Sequence, residues 1–343
     1  MEPLSRVDFA EDPYFAVRTA LGIVLALLLA EPFGVTMPML AAALALSLLS
    51  GQRGHFDLKR ALSPLAVPVL AYVFAYLATL TAGDPGLFIL LFVSLALVAF
   101  YIAVIKGSNG GLMLLMVPTL MSVLSVANDT AMAAMRDSMA GTGLILAVVL
   151  PVVNLIFPPK TNRVHVPKPD PESFANPLLE VTLRTAIFGA VLIYTFAVGD
   201  SNLLIMPVMT GFVLMQGSHN LRRAEAVQRV QATVIGAMVA LLAIFVYRLV
   251  PQIPLLLCMV ALISLFFSDR MIDGRLPPVT YQFSASVALV VLLTSLGTRD
   301  AMEVIVQRVT ISTIGATLAI AALALSEAAL RRWSERRDSA VRA

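Results

Sequence analysis

Charge is scarce in this chain. Asp, Glu, Lys and Arg make up 13% of its 343 residues, whereas a soluble globule carries roughly 25%. The scarcity excludes a soluble protein. With 59% hydrophobic residues and a mean hydropathy of +0.89, the sequence reads as an integral membrane protein. Cysteine occurs once, as Cys258 in the apolar run IPLLLCMVALISLFF, which excludes an intramolecular disulfide and a thiolate metal site. Histidine occurs three times, as His55, His165 and His219, all in polar connections. They leave too little for a transition-metal centre and form no Ser-His-Asp or Cys-His constellation, so no metal and no covalent catalysis are expected. The phosphate cradle G-x-x-x-x-G-K-[ST] is absent. The nearest stretch, KGSNGG from Lys106 to Gly111, lacks a strand-to-helix context and reads as a turn. The chain is thus expected to be no enzyme and to use no cofactor. A cleavable leader is also missing from MEPLSRVDFAEDPY, which is polar and of mixed charge.

What is present is a succession of apolar segments, twelve at about 17 to 25 residues each. They run over 14–31, 33–50, 61–82, 86–105, 111–127, 138–157, 178–198, 202–217, 229–250, 253–268, 279–297 and 305–325. The one linker is PPKTNRVHVPKPDPESFANP, 158–177, whose prolines cannot continue a helix. The fold class expected is therefore an all-α polytopic membrane protein. Its parts are a first six-helix repeat over 1–157, a cytoplasmic linker over 158–177, a second repeat over 178–325 and a basic tail over 326–343 with Trp333 at interface depth. With the N-terminus inside, eighteen Lys and Arg fall in inner connections and four in outer ones. That bias places both termini in the cytoplasm and explains the net charge of +3 as a topology signal with no need for nucleic acid.

The two halves repeat. Arg18-Thr19-Ala20 matches Arg184-Thr185-Ala186 at an offset of 166, Met37-Pro38 matches Met206-Pro207 at 169, and Arg136 to Gly143 matches Arg308 to Gly315 at 172. Arg53 and Arg60 match Arg222 and Arg229 at 169. Slowly growing offsets are what duplication with small loop insertions leaves. Six spans per half make the repeat parallel, with a pathway expected between the halves.

An arginine early in the first helix, a proline in the second, a basic inner turn, and Arg-x6-Gly in RVQATVIG from Arg229 and RVTISTIG from Arg308 together resemble the fusaric acid resistance and aromatic acid exporter superfamily. Within it the likeness is to compact double-repeat proteins with a DUF2955 domain. Two departures stand out: Val67 replaces glycine seven positions after Arg60, and the large cytoplasmic domain of many relatives is missing. The resemblance implies an efflux component of the bacterial inner membrane, working with a periplasmic membrane-fusion adaptor, and a homo-oligomer is plausible for such a family.

Candidate site residues follow from cost. An arginine at the bilayer centre costs about 3 kcal/mol on insertion scales, but near an end it snorkels. Arg18 and Arg184 lie about one turn inside an edge, and their recurrence points to two guanidinium groups capturing an organic carboxylate bidentately. Glu180 stands four residues before Arg184, where Tyr14 precedes Arg18, so Arg18 is expected to be the freer of the two. Pro38 and Pro207 remove backbone donors early in their helices and are candidates for broken-helix substrate contacts. Methionines near them, Met37, Met39, Met206, Met209 and Met215, suit an adaptable surface or plain core. Arg53, Arg60, Arg222 and Arg229 read as topology or gating residues, with Asp57 or Glu225 as partners. Arg136 and Arg308, on the positive-poor outer side, suit interfacial anchoring, an exit-side anion site or an adaptor contact. The function expected is proton-driven export of small, aromatic organic anions across a lipid bilayer. The alternatives are a passive organic-anion channel and a non-transporting assembly partner of an envelope complex. No acidic residue within the bundle marks the coupling site.

Overall fold

A computed structural model describes residues 12–51, 62–106, 110–159, 177–215 and 219–295, with part of the stretch 306–322. Every regular element among these residues is a helix. In chain order they are α1 (Phe15–Ala30), α2 (Pro38–Gly51), α3 (Ala66–Thr81), α4 (Pro85–Lys106), α5 (Gly110–Ala127) and α6 (Asp129–Ile156). They continue with α7 (Pro177–Val198), α8 (Ile205–Leu214), α9 (His219–Leu249), α10 (Ile253–Asp273) and α11 (Pro278–Ser295), with short 3-10 turns at Ser63–Leu65 and Ser201–Leu204. Among the described residues, eight helices are long and apolar enough to cross a membrane. This is a multi-pass membrane protein. α1, α2 and α8 are apolar but shorter than a span, and the expected last segment, 305–325, is only partly described. The sixth and ninth helices start earlier than their apolar runs, at Asp129 and His219, because polar first turns extend a helix without adding hydropathy. The linker is described only at its two ends.

Local chemistry sets the breaks. After α1 the chain turns through Glu31-Pro32-Phe33 to Gly34, whose φ of 67° needs glycine. Val35 N donates to Ala30 O at 2.9 Å and Gly34 N to Glu31 O at 3.0 Å, a Schellman closure of the helix end. α7 stops at Gly199, again at φ 67°, with Gly199 N donating to Thr195 O. Asp84 opens α4: its Oδ1 accepts from Gly86 N at 2.9 Å and Leu87 N at 3.1 Å, and Pro85 occupies the position whose missing donor costs nothing.

The helices gather into two compact units. The first comprises Met1–Val73, Thr130–Pro167 and Gln228–Val309; the second comprises Phe74–Asp129, Lys168–Val227 and Thr310–Ala343. In the first, α1 packs on α2, α2 on α11, α11 on α10, and α10 back on α1. In the second, α7 packs on α8, α8 on α5, α5 on α4, and α4 on α7. Each ring therefore takes two helices from either side of the linker, so the packing groups run across the chain halves. The first unit is filled by aliphatic side chains such as Ile23, Leu46, Ile145, Val260 and Leu289. The second is built on aromatic edges, with Phe100 against Phe188 at 5.8 Å and Phe88 between Phe92 and Phe196.

Glycine explains one repeated motif. At Gly143 an added Cβ would lie 2.5 Å from Pro68 Cδ and 2.8 Å from Pro64 O. Gly236 faces Ser284 O at 2.5 Å, and Gly315 faces Met206 O at 3.0 Å. The glycine of Arg-x6-Gly is thus where one backbone meets another element closely.

Candidate functional site

Both intramembrane arginines are fully enclosed. Arg18 is 1% exposed and Arg184 0%, so neither snorkels. Arg18 Nη2 meets Asp12 Oδ2 at 2.7 Å, and Nη1 donates to Phe157 O at 3.3 Å. Arg184 places Nε and Nη2 each 2.8 Å from Glu180 Oε1, and Nη1 donates to Leu214 O at 2.7 Å. Phe157 directly follows α6 and Leu214 ends α8, where helices leave carbonyls without intrahelical donors. Each guanidinium therefore caps the C-terminus of a neighbouring helix, where a cation also complements the helix dipole.

These contacts correct one expectation. Arg18 is no freer than Arg184: Asp12, six residues earlier and just ahead of α1, supplies the carboxylate that Tyr14 lacks. Tyr14 instead leans its ring on Phe157, 5.8 Å between centroids. The two sites differ in grip. Glu180 Oε1 meets two nitrogens of Arg184, whereas Asp12 Oδ2 meets one of Arg18, and Asp12 Oδ1 is buried without a hydrogen-bond partner among the described residues. Arg18 and Arg184 belong to different units.

Pro38 and Pro207 do not break helices. Pro38 is the first residue of α2 and Pro207 the third of α8, and a first-turn proline costs no helical hydrogen bond. The internal prolines are Pro118 in α5 and Pro151 in α6, which withhold the donors that would serve the carbonyls of Leu114 and Ala147. The other candidates separate. Arg136 pairs with Asp137 at 2.8 Å and lies over the Tyr72 ring at 4.9 Å, while Tyr72 donates to Asp137 Oδ1 at 3.2 Å. Buried Arg229 sits 3.5 Å from the centroid of Phe283, a cation–π stack. Arg222 and Arg223 are on α9, whereas Arg53, Arg60 and Arg308 lie outside the described residues.

The second unit also holds an open-sided cavity of about 620 Å³. One wall is α7, through Ala186, Ala190 and Tyr194; another is Ile311, Ile314 and Leu318 of the last described stretch; Met206 of α8 closes it. The stretch is held on α8 by the close approach at Gly315 and by Thr210 Oγ1 donating to Gly315 O at 3.3 Å. None of the described lining residues is charged, and Tyr194 alone among them carries a hydroxyl. A space of this size admits a small organic molecule. The stretch that forms it has relatives. Residues 187–322 match a family described as fusaric acid resistance protein-like. The matched stretch contains both RVQATVIG and RVTISTIG, the motifs on which the likeness was read, and every cavity-lining residue except Ala186. No curated protein and no solved structure matches the chain.

Met206 was noted in the sequence as a methionine beside a proline. Ala190 and Ala322, which also line the cavity, were not, because a small residue in an apolar helix signals nothing until its neighbour is known.

Proposed function

We propose that this protein is an efflux permease of the bacterial inner membrane that exports small aromatic organic acids, drawing on the proton gradient. A periplasmic adaptor of the membrane-fusion class receives the cargo in this reading, which also keeps both termini in the cytoplasm and twelve spans in two parallel repeats. The observation that carries it is the apolar cavity formed by the fusaric acid resistance-like stretch itself. Its apolar walls suit an aromatic ring, with the Met206 thioether and the Tyr194 ring as partners of the kind aromatics favour. The repeat is supported by the two helix rings, which pair corresponding helices in the same order. Arg18 and Arg184 enter as clamps that fix helix ends, since each is held by a carboxylate, of Asp12 or Glu180, and by a backbone carbonyl.

The test is uptake of labelled 4-hydroxybenzoate into everted membrane vesicles, with and without a protonophore. Protonophore-sensitive accumulation supports the permease. Flux that only follows the acid's own gradient points to a channel, and absence of flux for a panel of aromatic acids points to an assembly partner.

A further inference from the structure

One wall of the second unit's cavity has a counterpart in the first unit that is buried. By the repeat offsets, Ala190 corresponds to Val24, Tyr194 to Leu28, Ile314 to Thr142, Leu318 to Leu146 and Ala322 to Leu150. Thr142, Leu146 and Leu150 are 0%, 1% and 0% exposed, packed into the core around α1 and α2. Ile314 and Leu318 stay 46% and 44% exposed. Two of the exchanges, Val24 to Ala190 and Leu150 to Ala322, remove bulk, while Leu28 to Tyr194 and Thr142 to Ile314 add it. The two halves thus differ in side-chain size along these positions, with the smallest residues of the second half at Ala190 and Ala322.

We propose that this cavity binds its aromatic guest in the uncharged form: a phenol, or an aromatic acid whose carboxyl is protonated. The inference rests on the permease reading and says which form that site captures. A carboxylate entering it would exchange part of its water for apolar walls and meet no cation among the described lining residues, and a charge without a partner is disfavoured against such walls. The cation nearest in sequence to the α7 wall, Arg184, is already bound by Glu180 and Leu214 O. An uncharged ring loses nothing comparable, and one of its polar groups meets the Tyr194 hydroxyl at the edge of the site. The uncharged form is also the one that dissolves in a bilayer, so the guest reaches the cavity from the lipid phase.

The experiment is binding to the full-length protein in proteoliposomes, using 4-hydroxybenzoic acid and its uncharged amide, 4-hydroxybenzamide, over a range of pH. The amide is expected to bind equally well throughout. Above its own pKa the acid is expected to weaken by about tenfold per pH unit, as its neutral fraction falls. Ala190→Leu, which puts more bulk at this wall than the Val24 of the first unit, should abolish binding of both, while the thermal transition verifies that the variant folds. Acid binding that stays constant across pH, or that survives Ala190→Leu, overturns the proposal. So does failure of both probes to bind while a phospholipid co-purifies with the wild type and is lost from Ala190→Leu, which makes the cavity a lipid site. If vesicle export of 4-hydroxybenzoate persists in Ala190→Leu, the permease reading stands and this proposal alone falls. If the probes bind as expected and no export occurs, the reverse holds.

Discussion

Replacing Arg184 by methionine keeps an unbranched apolar stem but deletes a guanidinium that is 0% exposed. Glu180, whose side chain is 13% exposed, then keeps a carboxylate without its partner, and Leu214 O loses its donor. Breaking a buried pair from one side costs about 3 to 5 kcal/mol. The carbonyl adds to that figure only in part, because water can reach a helix end. At roughly 2 °C per kcal/mol for a large chain, the unfolding midpoint of detergent-solubilised Arg184→Met should fall by about 6 to 10 °C. The decisive comparison is the double variant Glu180→Leu/Arg184→Met. Removing both charges abolishes the desolvation penalty, so the double should regain at least half of the lost midpoint despite carrying one more substitution. Thermal unfolding followed by light scattering or by loss of soluble monomer reads both values. A double variant as unstable as Arg184→Met, or a single variant within about 1 kcal/mol of wild type, would refute the enclosed, paired arginine described above.

Two further predictions concern the first unit. Asp12→Asn should destabilise the protein in the same way. Adding Tyr14→Glu should restore part of the loss, because it recreates at Arg18 the i,i+4 geometry of Glu180 and Arg184; a midpoint unchanged by the rescue would mean that Asp12 acts otherwise than as the Arg18 counter-ion. Gly236→Ala, whose Cβ would press on Ser284 O, should cost about 1 to 3 kcal/mol, while Gly83→Ala, which meets open space, should leave the midpoint within about 0.5 kcal/mol of wild type.

Hydropathy placed the helices well because membrane spans announce themselves by composition: α4, α5, α7 and α11 fall within a residue or two of their apolar runs. The ends of α6 and α9 were hidden, since Asp129 and His219 begin turns that hydropathy reads as loop. The family likeness was legible in Arg-x6-Gly, and the structure adds why its glycine is there. The site was much less legible. Glu180 could be found by counting four residues, because helix periodicity is local. Asp12 could not, because it reaches Arg18 from outside the helix. The carbonyls of Phe157 and Leu214 leave no mark in any side-chain pattern, being backbone atoms brought up by packing between distant segments. The cavity is hidden for the same reason: Ala190 and Ala322 become a hollow only when α7 and the last helical stretch stand side by side.

The interleaved rings also set an order for biosynthesis. When the ribosome has inserted α1 to α6, α1 and α2 still lack the α10 and α11 they pack on, and α4 and α5 still lack α7 and α8. Neither unit can close on what has been made. The second unit's ring completes first, once α8 is made; the first unit's waits for α11, more than 200 residues after α2 ends. For that interval α1 and α2 have each other but not the helices that close their ring, and stay open to proteases and to mispairing with other nascent chains. Truncation anywhere before α11 should therefore leave the N-terminal helices as orphans, and two separately expressed halves should be stable only when they are made together.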